Sequence, residues 1–181
     1  MSLLPRLFLF AALLLAAPHA RAEGDPAAQR AAMQAISGMV GTWTGTGWRI
    51  PPGGGARYEF IATYTVESKV GGLAYTMESA GSRRIMENPP TPGPGSFAVI
   101  TYDADARRYN FRSFSRGDYV LSHGELVRPG VFRWEVAFEG ARLRFTVDVS
   151  GGAWVETGER STDGGKTWAP NYAVSLAPVR P

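Results

Sequence analysis

His123 and Glu125 are the residues whose types and spacing most directly suggest chemistry. They stand two apart in the run Tyr119-Val120-Leu121-Ser122-His123-Gly124-Glu125. On a strand, a period of two puts both side chains on one face, with Tyr119 and Leu121 before them. Such a pair inside a cavity could pass a proton, or supply two ligands to a metal. A metal site needs a third ligand, which the sequence does not place. A histidine in this setting is more often a half-exposed strand residue or a satisfied core residue. The chain has no cysteine, so thiolate zinc sites, iron–sulfur clusters, cysteine hydrolases and disulfide scaffolds are excluded. It carries no G-x-S-x-G elbow, no P-loop, no dinucleotide G-x-G-x-x-G after a strand and no H-E-x-x-H. No metal and no cofactor is expected, and His123 and Glu125 are the only catalytic candidates.

The second kind of chemistry is binding by rings. Aromatic residues make up 12% of the chain. In the strand reading below, many of them share inward faces: Tyr58, Phe60, Tyr64, Phe111, Phe132, Trp134, Phe138, Phe145, Trp168 and Tyr172. That is more bulk than a small core needs, and it suits walls around a pocket as well as a filled core. The residues expected to bind a ligand are Trp43, Tyr64, Phe111, Tyr119, His123, Trp134 and Phe145.

The elements that must hold these side chains are mostly β. From Gly41 onward, short runs rich in Tyr, Phe, Trp, Val and Thr alternate with Gly, Pro and Asp clusters, with turns about every 8 to 12 residues. Val131 to Val149 gives the sharpest pattern. A turn at Glu139-Gly140 pairs Phe138 with Ala141, Val136 with Leu143, Trp134 with Phe145 and Phe132 with Val147, and sets Glu135 opposite Arg144. A slip of one residue would mix apolar and charged faces, so the register is strongly specified. A second hairpin sets Ile100 opposite Phe111 and Tyr102 opposite Tyr109. Tyr58, Phe60, Ala62, Tyr64 and Val66 make a third apolar face, and Trp168, Tyr172, Val174 and Leu176 a fourth. Gly41, Gly45 and Gly47 share the face of Trp43, where tight packing is the usual cause. Each strand is apolar on one side only, which predicts an all-β fold. The expected architecture is a single antiparallel barrel or strongly curled sheet of about eight to ten strands. Pro51 to Gly55 and Asn88 to Ser96 are loops, because proline lacks the ladder donor.

Ahead of the barrel, Asp25-Pro26 reads as an N-cap with proline at the first helical position, opening a short helix over about 26 to 37. Its apolar stripe is Ala28, Met33, Ile36, Met39 and Val40, and Gly38 is a plausible stop. The first 22 residues read as a cleaved signal peptide. Arg6 precedes eleven uncharged residues, Leu7 to Ala17. That length spans about half of a bilayer core. Pro18 breaks the run, and Ala20-Arg21-Ala22 supplies a cleavage site. The domain plan is a signal peptide over 1–22, a helix and lead-in over 23–40, and the barrel over 41–181. Cleavage after Ala22 leaves 159 residues with 17 Lys+Arg against 16 Asp+Glu, so the net charge falls from +3 to +1. Without a concentrated cationic face, nucleic acid is not an expected partner. Without cysteine there is no lipid anchor, and the product is expected to be soluble in the periplasm or outside the cell.

Two motifs carry family resemblances. Ser161-Thr162-Asp163-Gly164-Gly165-Lys166-Thr167-Trp168 fits S-x-D-x-G-x-T-W and resembles the Asp-box of sialidases and related propellers, which there forms a hairpin turn without catalysis. Ser161, Asp163, Gly165, Thr167 and Trp168 are therefore expected to build a structural turn, with Asp163 accepting backbone N–H bonds. One box in 159 residues cannot make a propeller. Gly41-Thr42-Trp43 resembles the G-x-W signature that opens lipocalin-like (calycin) barrels, where the tryptophan closes the barrel floor against a helix or 3₁₀ turn. Arg160 and Arg180 are the candidates for the lipocalins' late-strand arginine. Gly41 to Gly45, Tyr102-Asp103 with Arg108-Tyr109, and Ser161 to Trp168 together resemble a bacterial family of small, often exported domains of unknown function with calycin-like barrels. That family implies a fold and no catalytic residue. Nitrobindin, a haem-binding barrel, opens with a run like Gly41 to Gly45. Its iron takes a histidine near the C-terminus, and this chain has none after His123.

The leading functional expectation is an exported carrier of a small apolar or aromatic molecule. The alternatives are a filled barrel acting as a structural or protein-interaction module, with a homodimer as its partner state, and a cofactor-free enzyme on a lipophilic substrate.

Overall fold

Alternation of ring or aliphatic residues with polar ones drives almost every segment after residue 40 into strand, because each run can hide one face only. The computed structural model describes residues 25–51, 54–80, 83–84, 95–115, 117–138 and 140–180. Residues 1–24, which include the segment read as a signal peptide, and Asn88 to Pro94 of the second Pro/Gly loop lie outside them.

One helix, α1 (Pro26–Ala35), comes first. Asp25 caps it, its carboxylate accepting from Ala27 N at 2.8 Å and Ala28 N at 3.3 Å. Eleven strands follow: β1 (Gly41–Arg49), β2 (Tyr58–Lys69), β3 (Ala74–Ser79), β4 (Arg83–Arg84), β5 (Ser96–Asp103), β6 (Arg108–Ser115), β7 (Asp118–Arg128), β8 (Val131–Phe138), β9 (Ala141–Asp148), β10 (Trp154–Ser161) and β11 (Ala169–Pro178). They form one antiparallel sheet in the order β1-β11-β10-β9-β8-β7-β6-β5-β3-β2, and β1 pairs back onto β2. The ten strands therefore close into a barrel in which each is paired on both sides. The short β4 pairs with the first half of β2, in line with β3.

The hairpin registers are as expected. Phe138↔Ala141, Val136↔Leu143, Trp134↔Phe145 and Phe132↔Val147 are ladder partners, as are Ile100↔Phe111 and Tyr102↔Tyr109. Glu135 does lie opposite Arg144. Its ion pair, however, runs diagonally to Arg142, while Arg144 reaches Glu159 on β10 at 2.8 Å. Arginine is long enough to choose a diagonal partner, so register did not predict pairing.

The helix closes one end. Met33, Ile36 and Met39 are fully buried beneath it, each contributing on the order of 2 kcal/mol of burial. Ten residues are too few for a helix to persist alone. Donors from three strands hold this one. Tyr75 of β3 donates its hydroxyl to Met33 O at 2.9 Å. Tyr109 of β6 donates to Ala32 O at 2.7 Å. The Trp43 indole of β1 donates to Met39 O, in the 3₁₀ turn after the helix, at 2.9 Å. The carbonyls left open at a helix C-terminus thus find partners in the wall. The structure shortens the expected helix: it ends at Ala35, Ile36 caps it, and Gly38 falls in the following turn rather than stopping it. Val40, expected on the buried stripe, is exposed.

Inside the barrel, bulky rings lean across strands that carry small residues. Phe60 (β2) and Tyr172 (β11) stack at 5.8 Å between centroids, with Gly47 of β1 on the strand between them. Tyr172 and Phe145 (β9) meet at 5.9 Å across Gly158 of β10. A Cβ on Gly158 would lie 2.8 Å from Tyr172 Cβ and 3.1 Å from the Phe145 ring. Gly158→Val is therefore expected to lower stability by about 2–3 kcal/mol. Gly151→Ala, with nothing within 4 Å of the new carbon, should change it by less than ~0.5 kcal/mol. Urea midpoints at unchanged slope measure both.

Candidate functional site

The inward face is built in two halves. Toward the helix, Trp43, Val66, Tyr75, Ile100, Phe132, Val147, Trp154 and Leu176 are all buried. Toward the other end, the inward positions Arg49, Tyr58, Val136, Leu143, Phe145 and Arg160 are only half-buried. That end is where β1 hands over to β2, β8 to β9 and β10 to β11. Most inward side chains at the helix end are buried, with Tyr102 and Leu126 at its rim half-buried, and the opposite end keeps more of its inward face accessible.

A polar cluster lies between the halves. Glu156 of β10 is 4% exposed and is the only buried carboxylate among the described residues. The Trp154 indole donates to its Oε2 at 3.1 Å. The Tyr64 and Tyr172 hydroxyls meet at 2.5 Å; the two tyrosines stand on β2 and β11, either side of β1. The inward positions of β1 between them are Gly45 and Gly47. A Cβ at Gly45 would lie 2.2 Å from Ser175 O, so this glycine serves close approach of β11 to β1, as tight packing requires. Arg49, the last residue of β1, sets its guanidinium 5.2 Å above the Tyr172 ring.

The electrostatics follow from burial. Loss of water pushes the Glu156 carboxyl up to about 7, against the Trp154 hydrogen bond and the Arg49 charge, which pull it down. Tyr64 and Tyr172 are both pushed well up, chiefly by burial and next by the Glu156 charge, so both stay protonated donors. Asp163 goes the other way: the Thr167 hydroxyl and backbone N–H lead the bonds that hold it well below the ordinary carboxylate range.

The ligand residues expected from the sequence divide. Trp43, Tyr64, Phe111, Trp134 and Phe145 all point into the barrel. Phe111 stacks on Trp134 at 4.7 Å, and Trp134 on Phe145 at 5.3 Å. Trp43 and Tyr64 both lie against Trp154, at 5.9 and 5.5 Å. Tyr119 and His123 do not join them. Both are exposed on the outer wall of β7, because the inward positions of that strand are Ser122 and Gly124. The spacing fixed that Tyr119, Leu121, His123 and Glu125 share a face, and the structure turns that face to solvent. Glu125 pairs there with Arg133 at 3.6 Å. The acid–base reading inside the barrel is corrected accordingly: the two side chains face solvent and border an open groove of about 950 Å³ beside the helix, whose lining also takes in Tyr102, Tyr109, Leu126 and Trp134. Phe138 pairs with Ala141 through the backbone.

The turn residues sit as their pattern requires. Asp163 Oδ1 accepts from Lys166 N at 2.9 Å and Thr167 N at 3.0 Å, and Oδ2 accepts from the Thr167 hydroxyl at 2.6 Å. The Ser161 hydroxyl bridges Asp163 Oδ1 and Gly165 N, each at 2.8 Å. Gly164 and Gly165 supply the positive φ of 79° and 96°. Trp168 was expected inward with Tyr172. It lies outside, with the Arg144 guanidinium 4.1 Å above its ring, because a bulge at Gly158/Glu159 shifts the register of β10 on β11.

Glu156, Tyr172 and Arg49 were not among the expected site residues. Tyr172 was readable as inward. Glu156 has a signal too: in Trp154-Val-Glu-Thr-Gly158 it holds an inward parity between Trp154 and Gly158. The alternation inside β1 places Arg49 likewise.

No protein-family model matches the chain, and no curated protein matches it in sequence. Among solved structures, the crystal structure of Rv2717c from M. tuberculosis is similar, with a TM-score of 0.62 at 16% sequence identity, covering 82% of this chain and 98% of that one. At that identity the likeness shows fold alone, a β-barrel consistent with the calycin-like architecture. A nitrobindin-type haem does not fit the residues, since His123, the only histidine after residue 22, points outward. Among the described residues no cluster of three or more His, Asp or Glu could hold a metal, and no helix is long and apolar enough to cross a membrane.

Folding favours the protonated form of Glu156, because its folded value lies above the ordinary 4.5. Its contribution is full below about pH 4.5 and is lost as pH rises through 7. The cost of ionising it there is on the order of 3 kcal/mol. Glu156→Gln should therefore gain stability on the wild type between pH 5 and 8, and parallel denaturation curves across that range check it. A constant difference between the two proteins would contradict the raised value.

Proposed function

We propose that this protein binds a small apolar or aromatic molecule in the open half of its barrel, the reading the sequence favoured. The observation that carries it is the gradient of burial along the inward face. Most rings and aliphatic side chains at the helix end are buried, Tyr102 and Leu126 at the rim excepted, while Tyr58, Val136, Leu143 and Phe145 together at the other end keep part of their surface in water. A barrel needing only a core would close over these. Left open, they give a concave apolar wall with a few polar groups at its base, the usual composition of a small-molecule site. The calycin-like resemblance supports the same reading. So does the proposed export from residues 1–22, since a soluble periplasmic or secreted barrel suits a carrier. No catalytic role is proposed for His123 or Glu125.

A second reading, self-association as a homodimer, is favoured by the outer wall. Phe97, Phe114, Tyr119 and Leu121 are 40%, 45%, 54% and 48% exposed, and the first three rings lie in sequence at 6.3 and 5.1 Å. Sedimentation across a hundredfold concentration range separates the two readings.

Native mass spectrometry on protein purified gently from its natural compartment should show a mass excess that vanishes on denaturation. Phe145→Ala should weaken binding of that molecule about tenfold and also cost stability. Stability lost with affinity unchanged would remove the pocket from this half of the barrel.

A further inference from the structure

The ligand-binding reading leaves the charge of the ligand open, and the inward face addresses it. Among the described side chains in inward register, the charged ones that are buried or half-buried are Arg49, Glu156 and Arg160; Asp118, ladder partner of Ser115 at the accessible end, has the same parity but is exposed. Arg160 takes the inward register as ladder partner of Leu143. Both arginines lie at the accessible end, half-buried, and Glu156 lies deeper. These three groups together are net positive in either protonation state of Glu156, and the one acid added at the mouth, Asp118, is exposed to solvent. A guanidinium lying over Tyr172, flanked by rings, is a fixed fork for a carboxylate, and the surrounding apolar wall strengthens that pairing relative to water.

Resting on the binding reading above, we propose that the open half takes a small aromatic carboxylic acid as its monoanion. Its carboxylate lies against Arg49, with Arg160 adding long-range attraction, and its ring packs against the half-buried Tyr58, Val136, Leu143 and Phe145. Glu156 competes for Arg49 when ionised. It is faced by Tyr64 from β2, Tyr172 from β11, Arg49 from β1 and Arg160 further along its own strand, while β9 offers it only Val147 and Phe145. Both tyrosines remain neutral over the working range, since burial raises them. Protonating Glu156 thus frees Arg49 for the ligand, and binding weakens as pH rises through neutrality.

The test uses the whole mature chain and three probes of one shape: 2-naphthoate, 2-naphthamide and 2-naphthylmethylamine, followed by tryptophan quenching and calorimetry. At pH 6, naphthoate should bind at least tenfold more tightly than the amide, and the amine most weakly. Arg49→Gln should abolish the preference for naphthoate over the amide, whereas a merely structural role would lower both affinities alike and keep their ratio. Arg160→Gln should reduce the preference by a smaller factor and provides the second variant should Arg49→Gln fail to fold. A carboxylate of ordinary pKa stays ionised from about pH 5.5 to 8.5, so a fall in naphthoate affinity across that range reports Glu156, and Glu156→Gln should flatten it. Equal affinity for naphthoate and the amide, or a preference that survives both arginine substitutions, overturns the anionic ligand and leaves the aromatic-binding reading standing. Binding of none of the three overturns both.

Discussion

The structure depends on how rings find room inside a ten-stranded barrel. Residues rooted two strands apart start roughly 9–10 Å from each other, since neighbouring strands are spaced at about 4.8 Å. The rings of Phe60 and Tyr172, and of Tyr172 and Phe145, nevertheless meet at 5.8 and 5.9 Å. They do so by leaning toward one another over an intervening strand that carries glycine: Gly47 opposite Phe60 in the first case, and Gly158 opposite both rings in the second. Gly124 does the same for Phe132, whose ring atoms would lie 2.2 Å from any Cβ placed there. Alternation of large and absent side chains from strand to strand joins Phe60, Tyr172, Phe145, Trp134 and Phe111 into a continuous belt around the interior. Interiors pack as densely as organic crystals, and here the density is reached by geometry between strands rather than by residue size alone.

The belt also explains why the polar groups lie where they do. Tyr64 and Tyr172 lean in from either side of β1, and the glycines of β1 let their hydroxyls meet. Those hydroxyls satisfy each other, which an apolar interior demands of any buried donor. Glu156 is the exception to an otherwise apolar inward face on β10. Its indole partner offsets only part of the desolvation of a carboxylate, so the proton stays on until near neutral pH. Burial moves this group's charge change toward neutral pH, and it stands within electrostatic reach of Arg49, between the helix end and the more accessible half.

Most of the fold was legible from the residues. Period-two alternation with turn residues every 8 to 12 positions pointed to about eight to ten antiparallel strands, and the registers of two hairpins followed because a one-residue slip would have mixed apolar and charged faces. The Ser161–Trp168 turn was legible because each of its atoms has a local partner. What failed was long-range. Alternation tells that His123 and Glu125 share a face with Tyr119, but which face turns inward depends on Ser122 and Gly124 lying beneath Phe132 and Trp134. Small residues on the inward side read from sequence as the weaker, outward side. Trp168 was misplaced for a related reason: a bulge on the neighbouring strand breaks the parity that counting assumes. Glu156 and Arg49 were overlooked because charge was taken as a mark of the solvent face, when in both cases the alternation itself pointed inward.

The two ends of the barrel divide the physical tasks. At the helix end, three side-chain donors from β1, β3 and β6 hold the carbonyls of the helix and its following turn, and three fully buried apolar residues fill the space below. This closure ties strands distant in the chain to one short element, so the far half of the barrel rests on a fixed base. A binding surface gains from such support, because side chains already held in place lose less freedom when a ligand arrives. The open half then tolerates what a core would not: half-exposed rings, two arginines in inward register, and a buried carboxyl that ionises near neutral pH. Concentrating apolar burial at one end is what allows the other to keep groups that weaken the fold and are suited to recognition.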